Sequence, residues 1–321
     1  MAISTSILTQ FAYLDIFQDI GRDAQDIKAW VANQNYFLNN YVDGSNFSLN
    51  VHNTHSLKIA YANDCNRMSV AAFESVIDIN QNNTLRKSGA WGVIRAYYSA
   101  FFAAHAIMRM YGVSCSQIEV EHAKKINEVF SLTSSHKVDK GFYCISSTKD
   151  FSTVKFKKYK DSHAGTWECF NNLMVSLKNN VHIATALSTE KIKTLEMIDS
   201  IKYGLTNNGN VTKGNWLSQV RNVVNYQHKY GVWFPYERGG GANELVERIS
   251  QDWKVLPDMV CLKNATDGLE LFFKTACLIL SLCKDLLSIC ISKNSNRSPI
   301  FICGVWNLLN QANVEMGMIN N

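Results

Sequence analysis

The chain has 321 residues, 46% hydrophobic and 11% aromatic, enough for one large domain or two ordinary ones. Such a composition excludes a disordered chain, which could not bury enough apolar surface to offset its ordering entropy. A formal net charge of +5 and a pI near 8.6 suit an anionic partner such as nucleic acid without demanding one.

Three prolines leave long uninterrupted stretches that favour helices. A first helix is expected over 7–41, broken near Gly21, a second over 56–79, and a strongly apolar third over 89–111 that stops at Gly112. A shorter helix follows over 119–130. The pattern then changes: residues 141–146 and 151–157 are rich in β-branched and aromatic types, with Ser147-Thr148-Lys149-Asp150 between them, and predict a β-hairpin.

Helices are expected again over 166–187, 189–205 and 216–230. Phe234-Pro235-Tyr236 and Gly239-Gly240-Gly241 mark a loop, 243–253 a short helix, and Pro257 a connection. Asp267-Gly268-Leu269-Glu270 reads as a capping box that opens a helix to about Ser292, and Pro299 precedes a last helix to about Met316. The whole reads as all-α, a single elaborated helical domain over 1–321, with the hairpin inserted at approximately 139–160.

Nine cysteines form an odd set with no Cys-x-x-Cys pair, mostly among apolar neighbours. Free thiols in a reducing compartment are expected, rather than a disulfide framework or a zinc site. No basic stretch precedes an apolar run near Met1, so no signal peptide is expected. The apolar runs 96–108 and 275–283 are too short to span a bilayer and read as buried helices of a cytoplasmic protein without a membrane partner.

The chemistry concentrates in Arg221-Asn222-Val223-Val224-Asn225-Tyr226-Gln227-His228. Seven helical steps come to roughly 700°, so Arg221 and His228 would share one face two turns apart, with Asn225 on the same stripe. Facing a cleft, such a stripe could bind phosphate and move a proton; on a lone helix it would be a solvated face. The imidazole of His228 is of a type that suits proton transfer, while Arg221 presents a fixed charge and a planar fork. Asn222 or Asn225 could orient a phosphate or hold the histidine tautomer. Tyr226 could instead be an interior packing residue.

Ala96-Tyr97-Tyr98-Ser99-Ala100-Phe101-Phe102-Ala103-Ala104-His105-Ala106 resembles the tyrosine-pair helix of HEPN (higher eukaryotes and prokaryotes nucleotide-binding) domains. About 115 residues later, 221–228 resembles that family's R-x(4–6)-H signature, with six intervening residues and a polar Asn222 directly after the arginine. Asn225-Tyr226 stands where sister subfamilies carry an acidic residue and tyrosine. The resemblance covers approximately 56–292. It implies a HEPN-like helical bundle that dimerises and places two motifs in one cleft. Many members are metal-independent endoribonucleases of toxin–antitoxin or anti-phage systems, needing no cofactor; others bind nucleotides or proteins without cutting. The catalytic set this implies is Arg221, His228 and Asn222. RNA and a second copy are the implied partners, beside an antitoxin or other defence-system protein.

Around that set, Asn225, Tyr226 and Arg95 are candidates to line the substrate cleft. His105, ten residues from Arg95, reads as a satisfied core histidine. Lys155-Phe156-Lys157-Lys158-Tyr159-Lys160 alternates basic and aromatic residues, so Lys155 and Lys157 could steer a phosphate backbone while the rings stack on bases. The plainer alternative is a solvated hairpin edge whose lysines oppose aggregation. Phosphate-loop, dinucleotide-binding and His-Glu-x-x-His motifs are absent, and the pair His52 and His55, with Asp64 downstream, has no third ligand at metal spacing.

Overall fold

The computed structural model describes residues 3–17, 25–77, 79, 88–233, 241–255, 260–293 and 304–314. The chain runs α1 (Ile3–Thr9), a 3-10 turn, α2 (Ile27–Ala32), β1 (Tyr36–Asp43), β2 (Asn46–Val51), α3 (Thr54–Ile77), α4 (Gly89–Met110), β3 (Val113–Ile118) and α5 (Val120–Phe130). It continues with β4 (Gly141–Ser147), β5 (Thr153–Tyr159), α6 (Ser162–Ile183), α7 (Ser188–Leu205) and α8 (Trp216–Gln227). The described part closes with α9 (Gly241–Asp252), α10 (Val260–Lys263), α11 (Gly268–Lys293) and α12 (Val305–Gln311). The expected loop residues 234–240, Pro257, Pro299 and the end of the last helix lie outside the described residues.

The molecule is predominantly helical, but it is not all-α. Instead of one inserted hairpin it holds a five-stranded antiparallel sheet in the order β1-β2-β5-β4-β3. The expected hairpin supplies two of these strands, β4 and β5. The long opening helix expected over 7–41 is replaced by short helices and β1. Asn33 caps α2, Gln34 takes a left-handed φ of 55°, and the chain enters an extended run. At the next turn Asp43 Oδ1 accepts from the backbone N–H groups of Ser45 and Asn46 and reverses the chain into β2. Such local side-chain chemistry outweighed the weak helical periodicity of that stretch. β3 follows Gly112, whose φ of 67° ends α4 beneath the ring of Tyr13.

Period-two alternation gives the sheet two unlike faces. One carries Phe47, Tyr143 and Phe156, with Phe47 and Phe156 stacked at 4.6 Å, and Phe130 of α5 edge-on to Phe47. Tyr61 of α3 donates to Ile145 O on the same side at 3.3 Å. The other face carries Cys115, Cys144, Lys155 and Lys157, and α6 packs against its β3–β4 end.

The helical layer is built on α4. α3, α6, α8, α9 and α11 all pack on it, as does β3. Almost every α4 residue is buried, which is why its sequence is apolar all round rather than striped. α11 is similar. It is long and apolar enough to cross a membrane by length and composition, and 83% of its most apolar stretch is buried inside the fold. Its start follows the capping box in part: Asp267 Oδ1 accepts from Glu270 N at 2.8 Å, while Glu270 reaches back to Thr266 N, one residue before the cap.

At the far end of α4, Arg109 is 1% exposed. Its guanidinium contacts Asp64 Oδ2 at 3.5 Å, His105 Nδ1 at 2.7 Å and the Cys115 carbonyl at 3.4 Å. Asp64, equally buried, also accepts from Arg67 at 2.7 Å. Removing one member strands the others in a low-dielectric interior. Asp64→Ala is therefore expected to lower unfolding free energy by about 3–5 kcal/mol, read from urea denaturation of the full chain.

Candidate functional site

α4, α6 and α8 meet around the tyrosine pair. α6 is started by Asp161, whose Oδ1 accepts from Ala164 N at 2.6 Å, so His163 falls in the first turn with Trp167 one turn further on. α8 enters after Gly214, at φ 73°, where an added Cβ would press on Asn171 of α6 at 2.7 Å. This close approach sets the start of α8 against α6 and carries Arg221 over α4.

Half-buried Arg221 lies over both tyrosine rings, its Cζ 6.0 Å from the Tyr97 centroid and 5.7 Å from that of Tyr98. Nη2 donates to Tyr98 Oη at 2.8 Å, and Nη1 donates to Asn222 Oδ1 at 2.9 Å. Its Nε–H is buried and unpartnered among the described residues. Behind it, Tyr97 is fully buried and accepts from Trp167 Nε1 at 3.1 Å. The Tyr97 hydroxyl also meets His163 Nδ1 at 2.9 Å. Burial pushes the Tyr97 phenol well up, so it stays protonated. Burial, then the Arg221 charge, holds His163 below its ordinary value, with Asp161 opposing. His163 is thus neutral near pH 7. Its two tautomers leave Nε2 either a donor or a free lone pair, depending on which partner gives the proton to the Tyr97 contact.

The other sequence candidates fall differently. α8 ends at Gln227, not at residue 230, because His228, Tyr230 and Gly231 all take positive φ, 50°, 66° and 59°. His228 is the exposed left-handed cap of the helix and does not continue the Arg221 stripe. Its ring stands edge-on to Trp233 at 6.5 Å, and Trp233 Nε1 donates to Val224 O at 2.6 Å, closing the helix end. Asn222 is exposed and bound to Arg221, and Asn225 is half-buried. Tyr226, 73% exposed, is no interior residue. Arg95 is half-buried on α4, one turn before Tyr98.

Lys155 and Lys157 are exposed on β5, the middle strand of the sheet, so they are not edge residues. None of the Arg221 partners named above comes from the sheet. His105 is a satisfied core histidine, bound to Arg109 and, at 3.4 Å through Nε2, to Thr166.

Two groupings were not legible in the sequence. His163 reaches the Arg221 cluster from 58 positions away, with no motif around it. Three scattered thiols, Cys115, Cys144 and Cys169, also converge, their sulfurs within 4.8 Å of one another. Comparison with known protein families, with curated proteins and with solved structures finds no match to the chain.

Both His105 and His163 are held below 6.5, His105 by complete burial and then the Arg109 charge. The native state therefore binds fewer protons than the unfolded chain as pH falls below that value. Stability should be fully present above pH 6.5 and decline on acidification, each histidine contributing at most about 1.4 kcal/mol per pH unit. Urea unfolding at pH 7 and pH 5 should show the decline, and His163→Asn should make it shallower.

Proposed function

We propose that the chain is a HEPN-like, metal-independent endoribonuclease of the toxin or anti-phage type, acting in the cytoplasm as a homodimer. The observation that carries the reading is Arg221, laid across the tyrosine pair of a second helix, with a neutral histidine on the Tyr97 hydroxyl. An immobilised guanidinium stabilises the charge of a phosphorane better than a solvated one, because it need not reorganise as the charge develops. His163 is of the right type to take the 2′-OH proton once Nε2 is unprotonated. Attack of that oxygen on the adjacent phosphorus releases the 5′-oxygen, which needs a proton, and leaves a 2′,3′-cyclic phosphate.

His228 is the second proton carrier in this reading. Within one chain it caps the end of α8, off the stripe that carries Arg221. A second copy would bring its own His228 to the cleft. Exposed aromatic side chains surround that helix end: Trp91, 57% exposed and edge-on to Trp233 at 5.6 Å, with Tyr226 and Tyr230. Such a cluster suits a dimer surface or stacking on unpaired bases.

A second reading, a non-catalytic HEPN-like nucleotide- or protein-binding module, is favoured by the internal engagement of Arg221 by Tyr98 and Asn222. The two readings separate in one assay. Incubated with tRNA and total RNA in EDTA, the wild type should leave 2′,3′-cyclic ends. Arg221→Ala should be slower by about 10²–10³-fold, as for loss of one oxyanion donor. His163→Ala and His228→Ala should be slower as well, and light scattering should give a dimer. A folded protein that binds RNA or nucleotides without cutting them would establish the second reading instead.

A further inference from the structure

The three converging thiols lie away from the Arg221 cluster and take no part in the proposed cleavage. Cys115 and Cys144 are direct cross-strand partners on β3 and β4, and Cys169 comes down on them from α6. Cys115 and Cys169 are buried and Cys144 is half-buried. Sulfurs bound to one metal at about 2.3 Å stand roughly 3.8–4.0 Å apart, tetrahedral or trigonal. The observed limit of 4.8 Å leaves less than about 1 Å of closure to make.

Two cationic side chains bear on the trio. Lys157 is the β5 residue opposite Cys144, and Arg109 donates to the Cys115 carbonyl. Among the described residues no histidine or carboxylate completes a fourth position in this group. Three sulfur ligands without a fourth are the preference of a soft monovalent ion rather than of structural zinc.

We propose that Cys115, Cys144 and Cys169 form a trigonal thiolate site for a soft d10 metal ion, Cu(I) before Zn(II). Binding makes three metal–sulfur bonds and displaces to solvent whatever thiol protons remain, with no change of oxidation state. The site is independent of the ribonuclease reading, and its test measures binding rather than cleavage.

The freshly reduced full chain should be titrated with Cu(I) against a chromophoric Cu(I) chelator, and in parallel with Zn(II). One Cu(I) per chain is expected, bound more tightly than Zn(II), with three sulfur neighbours by X-ray absorption. Cys144→Ser, at the half-buried corner, should fold normally and weaken binding by at least about 100-fold, since even outer-shell changes cost 10–100-fold. Cys277→Ser on α11 should leave binding unchanged. Absence of stoichiometric Cu(I) binding, undiminished binding by Cys144→Ser, tighter Zn(II) than Cu(I), or a Cys115–Cys144 disulfide in the isolated protein would each overturn the proposal.

Discussion

Burial of α4 on nearly every side governs the rest of the molecule. A helix enclosed by five others and a strand cannot send its polar side chains to water, so each must find a partner inside. Ser99 donates to Ala72 O at 2.6 Å on α3. Tyr97 is met by Trp167 and His163, and Arg109 gathers Asp64, His105 and the Cys115 carbonyl. Tyr98, only half-buried, is answered by Arg221. The neighbouring helices are therefore positioned by hydrogen bonds as well as by apolar contact. The two clusters rich in chemistry lie along this one element.

That constraint also explains which parts of the fold were legible. α3, α4, α5, α7 and α11 were read within a few residues, because long proline-free stretches bounded by Gly112 or by the Asp267 capping box carry their own start and stop signals. Gly141 to Tyr159 read as paired strands from its β-branched and aromatic alternation. β1 and β2 did not, because Asn39, Asn40 and Asn50 dilute the alternation and the reversal rests on the Asp43 side chain. β3 was missed because it is short and follows α4 after only Tyr111 and Gly112.

For the site, Arg221 and the tyrosine pair were recognisable from local pattern, and the structure brings them into contact across 123 positions. His228 was misplaced by extrapolating a helix through three residues of positive φ, a stop that only Gly231 announces. His163 and the thiol trio could not be found locally at all. They are joined by the docking of α6 onto both α4 and the sheet, which is a tertiary event, and the register of β3 on β4 is likewise set by the hydrophobic face it must bury.

α6 itself has a consequence for how the molecule responds to ligands. One continuous helix carries His163 beside Arg221 and Cys169 beside the sheet thiols, six residues or about 9 Å apart. A helix segment this short transmits displacement nearly as a rigid rod, since its hydrogen bonds do not stretch independently. A ligand that draws Cys169 toward the sheet and tilts the helix alters the free energy of holding His163 against Tyr97. Were both proposed sites occupied, thermodynamic linkage would make the effect reciprocal, each ligand changing the other's affinity by the same factor.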